Sequence, residues 1–363
     1  MNKNLLAQAV RKAVKPKFGR RKYLKSKVVA HYPENMEREY ARITNAYMTL
    51  LNKTLAEYLP KIRKAIDAKR AMLRLDELDP GEVFAPTDSA TALNIGIRFD
   101  AEGDDDDDGS DNFDEIANLE AYITELFMKI QREFEEKAIR FGLGKRLETL
   151  GKQALATTLQ EWKRTVRRTL GINILEDYYK GEFYRHNLRL WTEQNTAKIK
   201  AVPNNTMNLM RGIILNGYLE GKTNTTIGEE IRNTYKVERR RARFIARDQI
   251  AKLNSDITEA QQRDAGVQSF VWSSSADERV RDCHNDFDGH RYDWDDLPDD
   301  YYYTKAGRVY TGHNYAPGKA PNCRCVALPV FDIEKVVLPW EGANKDDGRQ
   351  NSGTVSPETT GTA

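Results

Sequence analysis

Apolar residues return every three or four positions over most of this chain, and that spacing limits what the chain can fold into. Met36, Tyr40, Ile43, Tyr47, Leu50, Leu51, Leu55 and Tyr58 form one stripe, which Pro60 is expected to end. A second helical run follows to about Leu78. Another stripe runs through Ile116, Leu119, Ile123, Phe127, Ile130, Phe134 and Phe141, breaks at Gly142 and Gly144, and resumes through Leu147, Leu150, Leu159, Trp162, Val166 and Leu170. Long amphipathic helices joined by a short glycine-bearing turn tend to pack antiparallel. Only after Gly266 does the texture change, to Val267-Gln-Ser-Phe-Val-Trp272, which reads as a strand. The expected fold class is therefore mainly α, an N-terminal helical bundle or stalk followed by a helical segment and a small C-terminal α+β module. The segments expected are a basic arm at 1–33, a helical region at 34–190, the C-terminal module with its lead-in helices at 191–335, and a tail at 336–363 with the composition of a disordered segment.

With 363 residues the chain is long enough for two or three structural units. Its longest apolar runs are a few residues, against the roughly 20 that a membrane span needs, so a soluble protein with no membrane partner is expected. No signal peptide is visible. Three cysteines cannot build a disulfide framework, and a reducing cytoplasm is the compartment they suggest.

The formal charge of +2 hides a strong polarity. Residues 1–27 contain Lys3, Arg11, Lys12, Lys15, Lys17, Arg20, Arg21, Lys22, Lys25 and Lys27 and no acid, so this segment carries +10 and the remainder −8. Cations strung along a flexible arm neutralise phosphates and release counterions, which makes the arm a candidate for sequence-independent binding of double-stranded DNA. The alternative is a merely solvated tail. Residues 79–114 read as a long acidic loop, with five consecutive aspartates between Gly103 and Gly109 that repel one another. Thr226-Ile-Gly-Glu229 has the spacing of a capping box for a short helix to Tyr235. A longer helix then opens at Glu238, with Arg239, Arg240, Arg241, Arg243 and Arg247 in its first turns. Cations there oppose the helix dipole, so a phosphate or neighbouring acids are expected to compensate, and Arg239, Arg240 and Arg241 join the candidate DNA contacts. This helix should stop at Gly266 in the left-handed conformation.

All three cysteines and three of the five histidines lie between 283 and 325. Cys283, Cys323 and Cys325 with one of His284, His290 or His313 could supply a tetrahedral zinc set. Against zinc, Cys-x-Cys is a weaker signal than Cys-x-x-Cys, and adjacent Cys283 and His284 rarely bind one ion. The competing reading is buried reduced thiols and hydrogen-bonded histidines, with no cofactor. Asp277, Arg281, His284 and His290 could alternatively form a metal-dependent hydrolase or nuclease site. Cysteine–histidine catalysis has its residue types here, but the spacing singles out neither a nucleophile nor a third, orienting group. No phosphate-cradling glycine loop occurs.

Several of these stretches, in this order, resemble the phage Mu F-like minor head proteins, the head morphogenesis family of tailed bacteriophages. The resemblance spans about Trp191 to Pro329. It rests on Trp191, Asn195, Ile199 and Pro203; on Ala246-Arg-Asp-Gln-Ile-Ala-Lys-Leu-Asn254; on the step from Ala265-Gly266 into Trp272; on Asp277, Arg281, His284 and Asp288-Gly289; and on Cys323-Arg-Cys325. Some members place Cys-x-x-Cys before the Asp-Gly and others Arg-x-x-His; Arg281 and His284 make this chain similar to the second kind. The resemblance therefore implies a polar cluster of Asp277, Arg281 and His284 pinning the C-terminal module, with Cys323 and Cys325 structural and no catalytic residue. Asp248-Gln249 stands where many relatives resemble Arg-Thr-Glu. The resemblance further implies a virion component made in the host cytoplasm, inside the head near the portal, with portal, capsid or scaffold proteins and packaged DNA as partners. A soluble nucleic-acid-binding protein unrelated to virions is the other class left open.

Overall fold

The computed structural model describes residues 3–26, 28, 31–77, 119–276 and 280–341. The acidic loop, most of the expected tail, Lys27 and Asp277 lie outside the described residues. The chain is mainly helical with a small antiparallel sheet region, as its periodicity predicts. In chain order the elements are α1 (Lys3–Phe18), β1 (Tyr23–Lys25), α2 (Glu34–Glu77), α3 (Leu119–Phe141), α4 (Leu143–Leu170), α5 (Glu182–Leu219), α6 (Asn224–Asp264), β2 (Ser269–Ser273), α7 (Asp282–Phe287), β3 (Arg291–Asp293), β4 (Tyr301–Thr304), β5 (Gly307–Tyr310) and β6 (Val326–Asp332). None of the described helices is long and apolar enough to cross a membrane.

Two compact units are interleaved along the chain. One comprises Met1–Arg38, Glu148–Thr192 and Arg247–Ala363, the other Glu39–Leu147 and Glu193–Ala246.

The helical unit is built as its stripes dictate. Pro60 does not end α2, because Leu59, Ile62, Ala65 and Ile66 continue the buried face past it. A proline removes one hydrogen bond, and packing on both sides of it keeps the helix running. Tyr47 meets Phe134 and Phe141, each with ring centroids 5.5 Å apart. The hydroxyl of Tyr40 donates to Asn195 Oδ1 at 3.0 Å, and that of Tyr235 to the Met48 carbonyl at 3.2 Å. Two further expectations are corrected here. The capping hydroxyl is that of Thr223, which accepts from the Thr226 N–H, rather than Thr226 itself. From that start α6 runs unbroken past Tyr235, so Arg239, Arg240 and Arg241 lie well inside a helix and the dipole does not act against them. Buried Glu238 lies 3.7 Å from Arg241.

The mixed unit holds the sheet, ordered β1-β6-β2-β3 and antiparallel throughout. β6 is buried along its whole length. Phe331 on this strand packs into a core with Val10, Val14, Phe18, Trp162, Val166 and Leu170, and its ring stacks 6.0 Å from Trp162. Val271, Val326, Leu328 and Val330 form a second cluster. The basic N-terminal segment is therefore not a free arm. Val10, Val14 and Phe18 recur at i+4 and anchor α1, while Tyr23, Leu24 and Lys25 pair with Asp332, Phe331 and Val330. Its cations from Arg11 to Lys25 ride on an ordered scaffold.

Candidate functional site

The C-terminal half of α6 positions a set of loops by polar contacts aimed out of one helix. Asp248 accepts from the Asn322 backbone N–H at 3.3 Å, Ser255 donates to the Pro317 carbonyl at 2.6 Å, and Gln262 donates to the Ala327 carbonyl at 2.8 Å. Trp191 on α5 donates its indole N–H to the Gln249 carbonyl at 3.2 Å. Residues 316–327 are thus fixed to the helix at several points, and Asn322 at a φ of 57° turns the chain into Cys323.

At the other side of the cluster, α7 hangs from β2 by a tight turn. Gly289 donates to the Trp272 carbonyl at 2.8 Å and Trp272 to the His290 carbonyl at 2.9 Å, while Asp288 accepts the Ser274 N–H at 2.6 Å. Arg281, which precedes α7, donates to the Pro321 carbonyl at 2.8 Å and so ties the helix to the Cys-x-Cys loop. Asp286 accepts hydrogen bonds from Tyr301 and Tyr303, the former at 2.5 Å, holding the β4–β5 hairpin against α7.

These supports converge on His284, which is 1% exposed. Its Nδ1 lies 3.4 Å from Cys323 Sγ and 3.6 Å from Cys325 Sγ. Its Nε2 lies 3.5 Å from Asp300 Oδ1. Asp300 is held in turn by backbone bonds to Thr311 and His313. Trp272 and Phe287 wall the imidazole, the Trp272 ring 5.0 Å away edge to face. Cys283 groups with His284 and Asp300, apart from the other two thiols.

The electrostatics follow from this order. Burial works against charge on His284, but Asp300 and Cys323 outweigh it and hold the imidazole pKa up at about 9. A hydrogen bond from Cys325, with the His284 charge beyond it, brings Cys323 down to about 4, whereas the Cys323 sulfur and burial push the Cys325 thiol up. Without a metal these influences favour a charged His284 beside a charged Cys323 and a neutral Cys325. The same donors could hold a soft cation.

Of the residues singled out in the sequence, His284, Cys323 and Cys325 meet as expected. Arg281 braces their loop, while Asp288 and Gly289 form the turn. The four expected ligands do not fall in one group, since Cys283 gathers with His284 and Asp300 rather than with Cys323 and Cys325. Of the alternative hydrolase set, His290 is exposed and gives its carbonyl to Trp272 of the sheet, and Asp277 lies outside the described residues. Asp300 is the site residue that sequence reasoning misses. An acid beside the aromatic run Tyr301-Tyr-Tyr303 carries no spacing signal, and only the fold buries it at 5% exposure.

The fold and the site define a mainly helical protein that ends in a small antiparallel sheet pinned by a buried Cys/His/Asp cluster. Residues 208–328 match the family described as "Phage Mu protein F like protein", so this stretch of the chain is similar to that family. A curated relative described as "Uncharacterized protein", from Haemophilus influenzae (strain ATCC 51907 / DSM 11121 / KW20 / Rd), is 27% identical over 231 residues, 63% of this chain. The chain spans 48% of that relative's length. No solved structure matches the chain.

Proposed function

We propose that the chain is a minor capsid protein of a tailed bacteriophage that acts in head morphogenesis, assembling at the portal and contacting packaged DNA without sequence preference. The observation that carries this reading is the Mu F-like match over residues 208–328. Within that match α6 braces the sheet module through Asp248, Ser255 and Gln262. Localisation in the virion, after synthesis in the host cytoplasm, follows from the same reading. Cross-linking of procapsid fractions tests the portal contact. Links from this chain to the portal protein are expected, and links to other head proteins alone would overturn that part.

The DNA contact is supported by charge on ordered surface. Lys12, Lys15, Lys17, Arg20, Arg21, Lys22 and Lys25 are exposed and Arg11 partly so, with Lys22 also pairing with Glu334 at 3.3 Å. Arg239, Arg240 and Arg241 are exposed on the other unit. Replacing Lys12, Lys15, Arg20 and Lys25 together with alanine leaves the buried face of α1 intact. This variant should flatten the salt dependence of binding to random duplex DNA by up to about 0.9 in log–log slope for each phosphate no longer neutralised. An unchanged slope in a folded variant would mean that the basic face does not touch DNA. Deleting residues 2–27 is a poorer test, since it removes α1 and β1 from the core.

A further inference from the structure

We propose that His284 Nδ1, Cys323 Sγ and Cys325 Sγ bind one zinc ion, with solvent as the fourth ligand. Ideal tetrahedral zinc, with bonds of about 2.3 Å to sulfur and about 2.05 Å to nitrogen, places sulfur and nitrogen donors about 3.5 Å apart. The two separations here are 3.4 and 3.6 Å, and the three ligand atoms all lie within 4.8 Å of one another.

Three further features belong to a metal site. Asp300 lies against Nε2 and favours the proton there, which leaves the Nδ1 lone pair aimed between the sulfurs; carboxylates orient metal-bound histidines in this way. The Cys325 backbone N–H donates to Cys323 Sγ at 3.4 Å and stabilises a thiolate. The donors also border a cavity of ≈ 240 Å³ whose walls include Ser275, Arg281 and Asn322, so the fourth position faces space that water can fill. A buried N/S set of this shape suits zinc over hard cations. Binding releases two protons to the buffer, leaving both sulfurs as thiolates and the imidazole neutral.

The test uses the full chain purified after expression with zinc. Elemental analysis should find about one zinc per chain. Cobalt(II) exchanged into the site should show tetrahedral d–d bands and a thiolate charge-transfer band. Cys323→Ser and Cys325→Ser should lose the ion and Cys283→Ser should keep it. Asp300→Asn should bind roughly tenfold to a hundredfold more weakly with the same cobalt spectrum. The wild-type chain supplies a reading that does not depend on the variants folding: Cys323 and Cys325 should resist iodoacetamide until a chelator is added. A chain that takes up neither zinc nor cobalt, loss of the ion in Cys283→Ser, or full alkylation of Cys323 before chelation would each overturn the site.

Discussion

Gly266→Ala should lower the stability of the sheet-bearing unit by about 3 kcal/mol or more. The residue ends α6 in the left-handed region at a φ of 72°, where the Gly266 N–H donates to the Arg263 carbonyl at 3.0 Å and the Val267 N–H to the Gln262 carbonyl at 2.9 Å. A side chain in this conformation costs about 1–2 kcal/mol by itself. Here it meets backbone as well, since a Cβ would fall on the Lys335 carbonyl oxygen, 3.0 Å from its carbon. The chain cannot retreat from that contact, because Val337 donates to the Ala265 carbonyl at 3.0 Å and fixes the strap after β6 over the helix end. At about 2–4 °C per kcal/mol, thermal unfolding followed by circular dichroism should show a loss of about 6–12 °C. Gly312→Ala is the control. Its φ is also 72° but nothing lies within 4 Å of the added carbon, so only the conformational cost should appear. Equal losses in the two variants would mean that the Lys335 contact carries no weight.

Trp272→Ala should cost about 3–5 kcal/mol, the range for deleting a large aromatic from a core. Trp272 is 0% exposed on β2, pairs in register with Ala327 of β6, and touches His284, Phe287 and Tyr292 with ring centroids 5.0, 5.1 and 6.1 Å away. Its removal empties the wall of the imidazole as well as the sheet face. The near-ultraviolet circular dichroism of the unit should collapse at a much lower urea concentration than in the wild type. Trp272→Phe keeps most of the apolar volume and should recover a large part of the stability. If Trp272→Ala unfolds at the wild-type urea midpoint, this core does not depend on the indole.

Helical content is legible in the sequence because a stripe such as Tyr40, Ile43, Tyr47, Leu51 and Leu55, all buried, encodes its own partner face, and the stop at Gly266 because only glycine takes that conformation freely. The helix end expected at Pro60 is wrong, since local rules do not include the packing that carries α2 across it. Charge dominates the reading of the basic segment and hides Val10, Val14 and Phe18, although their i+4 spacing is there to be seen. β1 has no such signal; three residues pairing with a strand some 300 positions later leave no local trace. The site divides in the same way. Cysteine and histidine spacing locates the cluster, but the assignment of thiols to ring nitrogens is set by how α7 and the Cys-x-Cys loop meet, and Asp300 enters only through the fold.

On the proposed function, this chain is built into a phage head. Quantitative mass spectrometry of purified particles, from a lysate in which the chain is expressed, tests it most directly. The chain should copurify with DNA-filled heads through a density gradient and persist after high-salt washing. Its absence from particles while it is abundant in the lysate would contradict the claim.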